Sequence, residues 1–213
     1  MHSARDTTDA SVHWNALYRT KRTDEMSWYQ PFPTRSIELL LRSGANEDSE
    51  IIDVGGGDST FVDALLERGF RHVTVLDISC QALGRARGRL GEGERANGVT
   101  WIEADVRDAN LPADGFDVWH DLAVFHFLTR QEDRERYLAQ VTHALRHGGS
   151  LIIATFALEG PPRCSGLATA RYDATGLAHA LGDEFVLRES VTDVHRTPAG
   201  VEQAFTYAAF TRR

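Results

Sequence analysis

Glycine and acidic residues follow three consecutive apolar runs at positions that suit a nucleotide-type ligand. Asp53-Val54-Gly55-Gly56-Gly57 closes the first run, and glycine lets a backbone turn sharply and approach a ligand more closely than a Cβ would permit. Asp77 ends the second run, 20 residues after Gly57. A carboxylate there can accept hydrogen bonds from both hydroxyls of an adenosine ribose. Asp105 follows the third run and suits an adenine amino group.

The residues around the glycines argue against a dinucleotide. The dinucleotide fingerprint is G-x-G-x-x-G/A; Gly55 and Gly57 fill its first two places, but Thr60 stands at the third. Asp53 would lie close to a pyrophosphate and repel it, whereas an acid at this position is compatible with a cationic ligand. The loop therefore points away from NAD and from an NAD-dependent oxidoreductase.

The elements that must position these residues alternate between strands and helices. The apolar pattern predicts strands at 50–54, 72–76, 99–103, 116–120 and 150–155, and helices at 35–41, 60–68, 80–90 and 131–146. Such alternation is typical of βαβ units with right-handed crossovers and a mostly parallel sheet. Phe185–His195 and Val201–Arg212 flank a turn sequence and predict an antiparallel hairpin at one edge. We therefore expect an α/β fold that binds ligands at the carboxyl ends of its strands.

Taken in order, these motifs resemble those of the class I S-adenosylmethionine-dependent methyltransferases. Asp53–Gly57 resembles the first motif of that family, Asp77 its ribose-binding acid, and Asp105 the acid of its adenine pocket. The resemblance covers about residues 48–213, and it departs from the commoner loop where Ser59 replaces the last glycine.

The resemblance implies a fold, a cofactor and a set of binding residues. The fold is a Rossmann-like, doubly wound seven-stranded sheet, mostly parallel, with an antiparallel C-terminal hairpin. The cofactor is S-adenosyl-L-methionine, and the product is S-adenosyl-L-homocysteine. The residues implied to hold the cofactor are Asp53, Gly55, Gly57, Asp77, Ile78, Asp105, Val106 and Asp121.

A narrower resemblance extends to the N-terminus. Trp14, Tyr18 and Ser27-Trp28-Tyr29, with a glycine loop ending in serine, resemble the protein-lysine methyltransferases that act on elongation factor and citrate synthase. The acidic signature of that group corresponds here to 121–126, where Asp121 is kept and three other positions depart. The stretch also differs from Asn/Asp-Pro-Pro-Tyr, the signature of amino-directed nucleic-acid methyltransferases. We expect a small-molecule acceptor; the alternatives are a protein lysine and a cofactor-binding module that does no chemistry.

Two residues after the fourth strand are the candidates for catalysis. Methyl transfer from a sulfonium is an in-line displacement, so catalysis comes largely from holding the reacting groups in line. If a base is needed, the end of the fourth strand is where we expect it. We predict Asp121 beside the methionine end of the cofactor and His126 against the substrate. The alternative for His126 is a hydrogen bond within the core or at a helix cap.

Aromatic and loop residues complete the predicted substrate site. We predict that four aromatic residues cover the cofactor, since aromatic faces attract a sulfonium cation: Trp14, Tyr18, Trp28 and Tyr29. Of these, Trp28 and Tyr29 are expected against the substrate; the alternative is a segment merely pinned to the core. Arg163 and Tyr172 follow the fifth strand, and we predict that they contact an anionic or aromatic substrate.

Composition limits the class of protein. The 213 residues carry a formal net charge of −8, with 42% hydrophobic and 25% charged residues. These values predict a single domain, with residues 1–47 as a lid or substrate segment and 48–213 as the core. The acidity argues against a nucleic-acid partner, and no run resembles a signal peptide or membrane span, so we expect a cytoplasmic protein. The nine histidines show no recognised ligand spacing, and no metal is expected. The oligomeric state and the acceptor atom stay open.

Overall fold

The centre of the protein is a twisted β-sheet, and the computed structural model describes residues 3–91, 93 and 96–213. The strands, numbered along the chain, are β1 (Glu50–Val54), β2 (His72–Asp77), β3 (Val99–Glu103), β4 (Phe116–Leu122), β5 (Leu145–Phe156), β6 (Arg163–Cys164), β7 (Leu167–Ala168), β8 (Phe185–Arg196) and β9 (Glu202–Arg212). Seven of them form one sheet in the order β3-β2-β1-β4-β5-β9-β8, while β6 and β7 pair as a separate hairpin. β1 to β5 are parallel, and β9 is antiparallel to both neighbours. The predicted Rossmann-like fold with an antiparallel C-terminal hairpin is confirmed.

Helices cover both faces of this sheet. They are α1 (Ser3–Thr20), α2 (Thr34–Arg42), α3 (Phe61–Glu67), α4 (Cys80–Leu90), α5 (Gln131–Ala144) and α6 (Ala174–Leu181), with 3-10 turns at Thr23–Glu25, Ala96–Gly98 and Phe125–Phe127. The apolar sides of α2, α3 and α4 pack with Ile51 on one face. Those of α5 and α6 pack with Ile52 on the other. Successive strand residues point to opposite faces, so β1 is buried on both sides, as a central parallel strand must be.

The N-terminal helix α1 is the main element that the sequence pattern did not predict. Its apolar residues near the fold, Trp14, Leu17 and Tyr18, lie within its last two turns and pack beside Met26 and Ala82. A helix whose polar first half continues into so short an apolar stripe gives a weak periodic signal. Neither α1 nor any other helix in the described ranges is long and apolar enough to cross a bilayer.

The direction of β9 brings its first residues to the ligand-binding edge. β9 runs antiparallel to β5, and Phe156 at the end of β5 pairs with Phe205 near the start of β9. The amino end of β9 therefore lies beside the carboxyl ends of the parallel strands. Residues of the C-terminal hairpin can thus line the same site as the glycine loop.

Candidate functional site

A cavity of about 650 Å³ opens at the carboxyl edge of the sheet, a size within the range of roughly 300–1,000 Å³ that is usual for small-ligand sites. The carboxyl ends of five neighbouring strands (β3, β2, β1, β4 and β5) enclose it together with helix α1, the β6–β7 hairpin and the start of β9. The strand-end and loop residues in its wall include Gly55, Asp77, Asp105, Leu122, Phe156, Cys164 and Phe205.

The glycine loop after β1 has the backbone conformation that glycine allows. Gly55 has φ +65° and Gly57 has φ +50°, in the left-handed region that other residues rarely adopt. A Cβ on Gly57 would lie 2.7 Å from the hydroxyl of Tyr18 and 3.1 Å from Asp77 Oδ2. A Cβ on Gly55 would overlap Val124. Both positions therefore need glycine for the backbone turn and for the close approach of neighbouring side chains.

Asp77 is a buried acid in the wall of the cavity. Its Oδ1 accepts a hydrogen bond from the Ser79 backbone N–H at 2.7 Å, and the Gly57 backbone N–H also donates to the carboxylate. Burial raises the pKa of Asp77 to about 7, with Asp53 and Asp58 adding to this effect. No cation is paired with it in the contacts described, so its carboxylate suits neutral donors such as the hydroxyls of a sugar.

Asp53 lies behind the glycine loop rather than in the main cavity. Its Oδ1 is 2.7 Å from Nδ1 of His120, and Nε2 of His120 is 2.8 Å from the Ser36 hydroxyl. The His120 ring stacks on Phe61 with centroids 4.0 Å apart. Asp53 Oδ2 is buried without a hydrogen-bond partner, and it would be close to a Cβ on Gly56. One oxygen of the carboxylate is thus committed to a buried network that joins α2 to β1 and β4.

The adenine side of the predicted site contains a buried ion-pair network. Arg107 donates to Asp105 through Nε at 2.9 Å and through a terminal nitrogen at 2.5 Å. Its other terminal nitrogen donates to Asp133 at 2.6 Å, and Asp133 also accepts from Arg130 at 2.8 Å. Asp105 lines the cavity together with Ile78 and Val106, but its carboxylate is already engaged by Arg107. An adenine amino group would therefore share that carboxylate with a guanidinium.

The structure corrects the predicted position of Asp121. Its carboxylate accepts hydrogen bonds from the backbone N–H groups of Val124 and Phe125 at 2.8 and 3.1 Å, and from the Tyr137 hydroxyl at 2.6 Å. Burial raises the pKa of Asp121 to about 6. Asp121 is absent from the cavity wall among the described residues, because its side chain points to the sheet face that α5 covers. It holds the turn after β4 instead of facing the ligand.

That turn places His126 in the wall of the cavity. Ala123 adopts φ +69°, a conformation that is rare and strained for a residue with a Cβ, and the 3-10 turn Phe125–Phe127 follows. His126 is fully buried, and its Nδ1 accepts a hydrogen bond from the Phe156 backbone N–H at 3.4 Å. Its Nε2 has no partner. Burial lowers the pKa of His126 to about 3, so the ring is neutral.

The other predicted substrate residues divide between the cavity and its surroundings. Trp28 lines the main cavity, whereas Tyr29 borders a small adjoining pocket next to the glycine loop. Arg163 is exposed and donates to the Gly166 carbonyl oxygen within the β6–β7 hairpin. Tyr172 packs on the Phe125 ring, 5.6 Å away, on the face covered by α5. Neither Arg163 nor Tyr172 is part of the described cavity wall, and their substrate contacts stay a prediction.

Helix α1 forms the cover of the cavity, with Trp14 and Tyr18 facing inward. The Asn15 side-chain oxygen accepts hydrogen bonds from the Ser79 hydroxyl at 2.8 Å and from the Gln81 backbone N–H at 3.2 Å. Burial raises the pKa of Tyr18 well above its usual value, and Asp77 adds to the effect. The cover is thus fastened to the start of α4, directly beside the acid that the sequence assigns to the ribose.

Several cavity residues escaped the sequence interpretation. Phe127, Phe156, Gln203 and Phe205 all line the cavity. The antiparallel direction expected for the last strand was the available signal for Gln203 and Phe205, because such a strand starts at the edge where the parallel strands end. Among the residues that the structure describes, no group of three or more histidine, cysteine, aspartate or glutamate side chains is arranged to hold a metal ion.

Comparison with known proteins relates this architecture to methyl transfer. Residues 51–149 match the family model described as a methyltransferase domain. An uncharacterized methyltransferase of Mycobacterium tuberculosis is 33% identical over 106 residues, which cover 50% of each chain. The eEF1A lysine and N-terminal methyltransferase of Danio rerio is 24% identical over 150 residues, which cover 69% of this chain and 21% of that protein. The chain spans about half the length of the mycobacterial relatives that it matches.

Solved structures share the fold over nearly the whole chain. The 1,6-didemethyltoxoflavin-N1-methyltransferase of Burkholderia thailandensis was crystallised with 1,6-didemethyltoxoflavin and S-adenosylhomocysteine. It superposes with a TM-score of 0.70 at 24% identity, covering 99% of this chain and 89% of that one. The fold shared with that enzyme therefore includes the N-terminal helix α1 as well as the seven-stranded sheet.

Proposed function

We propose that this chain, which is a member of the class I S-adenosylmethionine-dependent methyltransferases, transfers a methyl group to a small-molecule acceptor. One observation carries the proposal: a single cavity joins a glycine loop and a ribose-type acid at one end to a compartment of aromatic rings at the other. When bound, the cofactor would supply an electrophilic methyl carbon: an acceptor lone pair bonds to it in line as the carbon–sulfur bond breaks, and the electron pair of that bond stays on sulfur in the product S-adenosylhomocysteine.

The residues at the first end fit S-adenosylmethionine. Gly55 lines the cavity with a left-handed backbone, and the Gly57 backbone N–H donates to Asp77. The carboxylate of Asp77 suits the two ribose hydroxyls. Ile78 and Val106 supply apolar walls for an adenine ring, beside the carboxylate of Asp105. We therefore assign these six residues to cofactor binding. Asp53 acts through the loop, because its carboxylate lies behind Gly56.

The distribution of charge in the wall supports a small-molecule acceptor over a lysine side chain. In the described wall the acids are Asp77, Asp105 and Asp133, and all three belong to the cofactor end or to the Arg107 network. The acceptor end is lined by rings, Cys164 and Gln203. A lysine ammonium would enter this compartment without a carboxylate to pair with or to take its proton, and an unpaired buried cation is costly.

Protein methylation is the second candidate. The similarity to the eEF1A lysine and N-terminal methyltransferase of Danio rerio favours it. The bound 1,6-didemethyltoxoflavin of the Burkholderia enzyme favours the first candidate, since that protein holds a small molecule in the same fold. The neutral acceptor end of the cavity leads us to prefer the small molecule.

Labelled cofactor distinguishes these functions. Purified protein is incubated with methyl-labelled S-adenosylmethionine and, separately, with a metabolite extract or with a protein lysate freed of small molecules. We expect label in the metabolite fraction only. Label confined to a protein band would favour the second candidate and contradict the first. Calorimetric binding of S-adenosylhomocysteine without transfer to any extract would favour a non-catalytic binding module.

A further inference from the structure

The acceptor end of the cavity is a box of aromatic rings in mutual contact. Trp14 meets Trp28 and Phe127 with ring centroids 5.9 and 5.2 Å apart. On the opposite side, Phe156 contacts Phe205 at 4.8 Å. Ring walls of this kind favour flat, apolar ligands, because planar surfaces stack with little loss of conformational entropy.

His126 is a polar group set into this box. Its imidazole lies 4.4 Å from Phe127 and 4.7 Å from Phe156, measured between ring centroids. Nδ1 accepts the hydrogen bond from the Phe156 backbone, so in the neutral ring the proton resides on Nε2. This Nε2–H is buried and has no partner. An unsatisfied buried donor is unfavourable, and an acceptor atom on a ligand relieves that penalty.

We propose that the methyl acceptor is a planar, uncharged ring compound that presents a carbonyl oxygen or ring nitrogen to Nε2–H of His126. This proposal rests on the proposed methyltransferase function and specifies its substrate class. His126 acts as a hydrogen-bond donor that orients the acceptor, and it is not the base. His126 belongs to the described wall of the cavity, so a ring bound at this end of the cavity lies beside it.

The same arrangement selects against cations. Nε2–H repels a positive group, and the described wall of the acceptor end offers no carboxylate in compensation. Aromatic faces do attract cations, but a sulfonium in the adjoining compartment opposes a second positive charge at this distance. Binding therefore depends on more than the shape of the ligand. It also requires that the ligand offer a hydrogen-bond acceptor atom and carry no positive charge.

Three probes that share a flat, fused bicyclic frame test this inference: quinolin-2(1H)-one, naphthalene and N-methylquinolinium. Their affinities are measured by quenching of tryptophan fluorescence on protein saturated with sinefungin, an unreactive analogue of S-adenosylmethionine whose ammonium group keeps the positive charge of the sulfonium. We expect quinolin-2(1H)-one to bind about tenfold more tightly than either other probe. His126→Phe should reduce its affinity to that of naphthalene, whereas His126→Gln, which keeps an N–H donor, should retain part of the difference.

The outcomes separate this inference from the proposed function. Calorimetry with S-adenosylhomocysteine is run on each variant first, and failure of wild-type protein to bind it contradicts the methyltransferase proposal itself. If S-adenosylhomocysteine binds but the three probes bind equally, or N-methylquinolinium binds best, the inferred substrate class is wrong. A preference for the quinolinone that survives intact in His126→Phe also overturns the role of His126. Should that variant not fold, the probe series on wild type and on His126→Gln decides.

Discussion

Replacing Asp77 by asparagine should make the ligand-free protein more stable at alkaline pH while weakening cofactor binding. The carboxyl group is buried, and burial raises its pKa from 3.8 to about 7. At about 1.4 kcal/mol for each pKa unit, ionising this group in the fold is unfavourable by up to roughly 4 kcal/mol at pH 8. Asparagine has nearly the same shape and carries no charge to desolvate.

The sign of the pH dependence follows from the raised pKa. The folded protein holds the Asp77 proton more tightly than the unfolded chain does, so the contribution to stability is complete below pH 4. It is lost progressively as the pH rises through about 7. Between pH 5 and pH 8, we therefore expect Asp77→Asn to gain about 2–4 kcal/mol in free energy of unfolding relative to wild type. Urea unfolding at several pH values measures this difference.

Binding of S-adenosylhomocysteine should change in the opposite direction. A hydrogen bond to a charged acceptor contributes about 1.5–3 kcal/mol. We therefore expect the dissociation constant of Asp77→Asn at pH 8 to rise about 10- to 150-fold by calorimetry. In wild type the affinity should fall as the pH drops below 7, whereas the variant should show no such dependence. Wild-type affinity in Asp77→Asn, or a variant whose relative stability falls from pH 5 to pH 8, would refute this reasoning.

Three further substitutions test the elements around the site. Gly57→Ala places a Cβ 2.7 Å from the Tyr18 hydroxyl at a backbone φ of +50°. The free energy of unfolding, measured by thermal unfolding, should therefore fall by about 1–3 kcal/mol, and S-adenosylhomocysteine should bind more weakly. Asn15→Ala unfastens the cover and should raise the S-adenosylhomocysteine dissociation constant about fivefold, with little change in the urea midpoint; an unchanged dissociation constant would contradict the role of α1 as a cover. Tyr137→Phe removes the 2.6 Å hydrogen bond to Asp121 and should lower the free energy of unfolding by about 1–3 kcal/mol, and an unaffected urea midpoint would show that the turn after β4 needs no such support.

Local sequence signals were sufficient for the elements that carry the cofactor. The strand at Glu50–Val54 and the helix at Cys80–Leu90 have the predicted bounds, because each is a short, regular apolar pattern closed by a glycine or a cap. Positive φ at Gly55 and Gly57 likewise follows from residue type and position. Spacing alone was enough to place Asp77 at the end of β2.

The directions of side chains beyond the strand ends could not be predicted in this way. Strand alternation puts His120 and Asp121 on opposite faces, yet the helices that pack there engage both, through Ser36 and Tyr137. The ligand cavity lies past the end of the strand, so His126 reaches it and Asp121 does not. That outcome depends on how the turn after β4 folds over α5, which is a tertiary property and leaves no periodic pattern in the sequence.

The buried link between Ser36, Asp53 and His120 has a consequence for how this sequence can change. Each of the three has a relative exposure of 2%, and removing one leaves its neighbour buried and unpaired, which is unfavourable by about 1–3 kcal/mol. Apolar residues of matching shape at all three positions would avoid that penalty, but the route there passes through the unpaired intermediates. We therefore expect the residues at these three positions to be kept or replaced together in related sequences. A redesign of the protein should change all three at once or none of them.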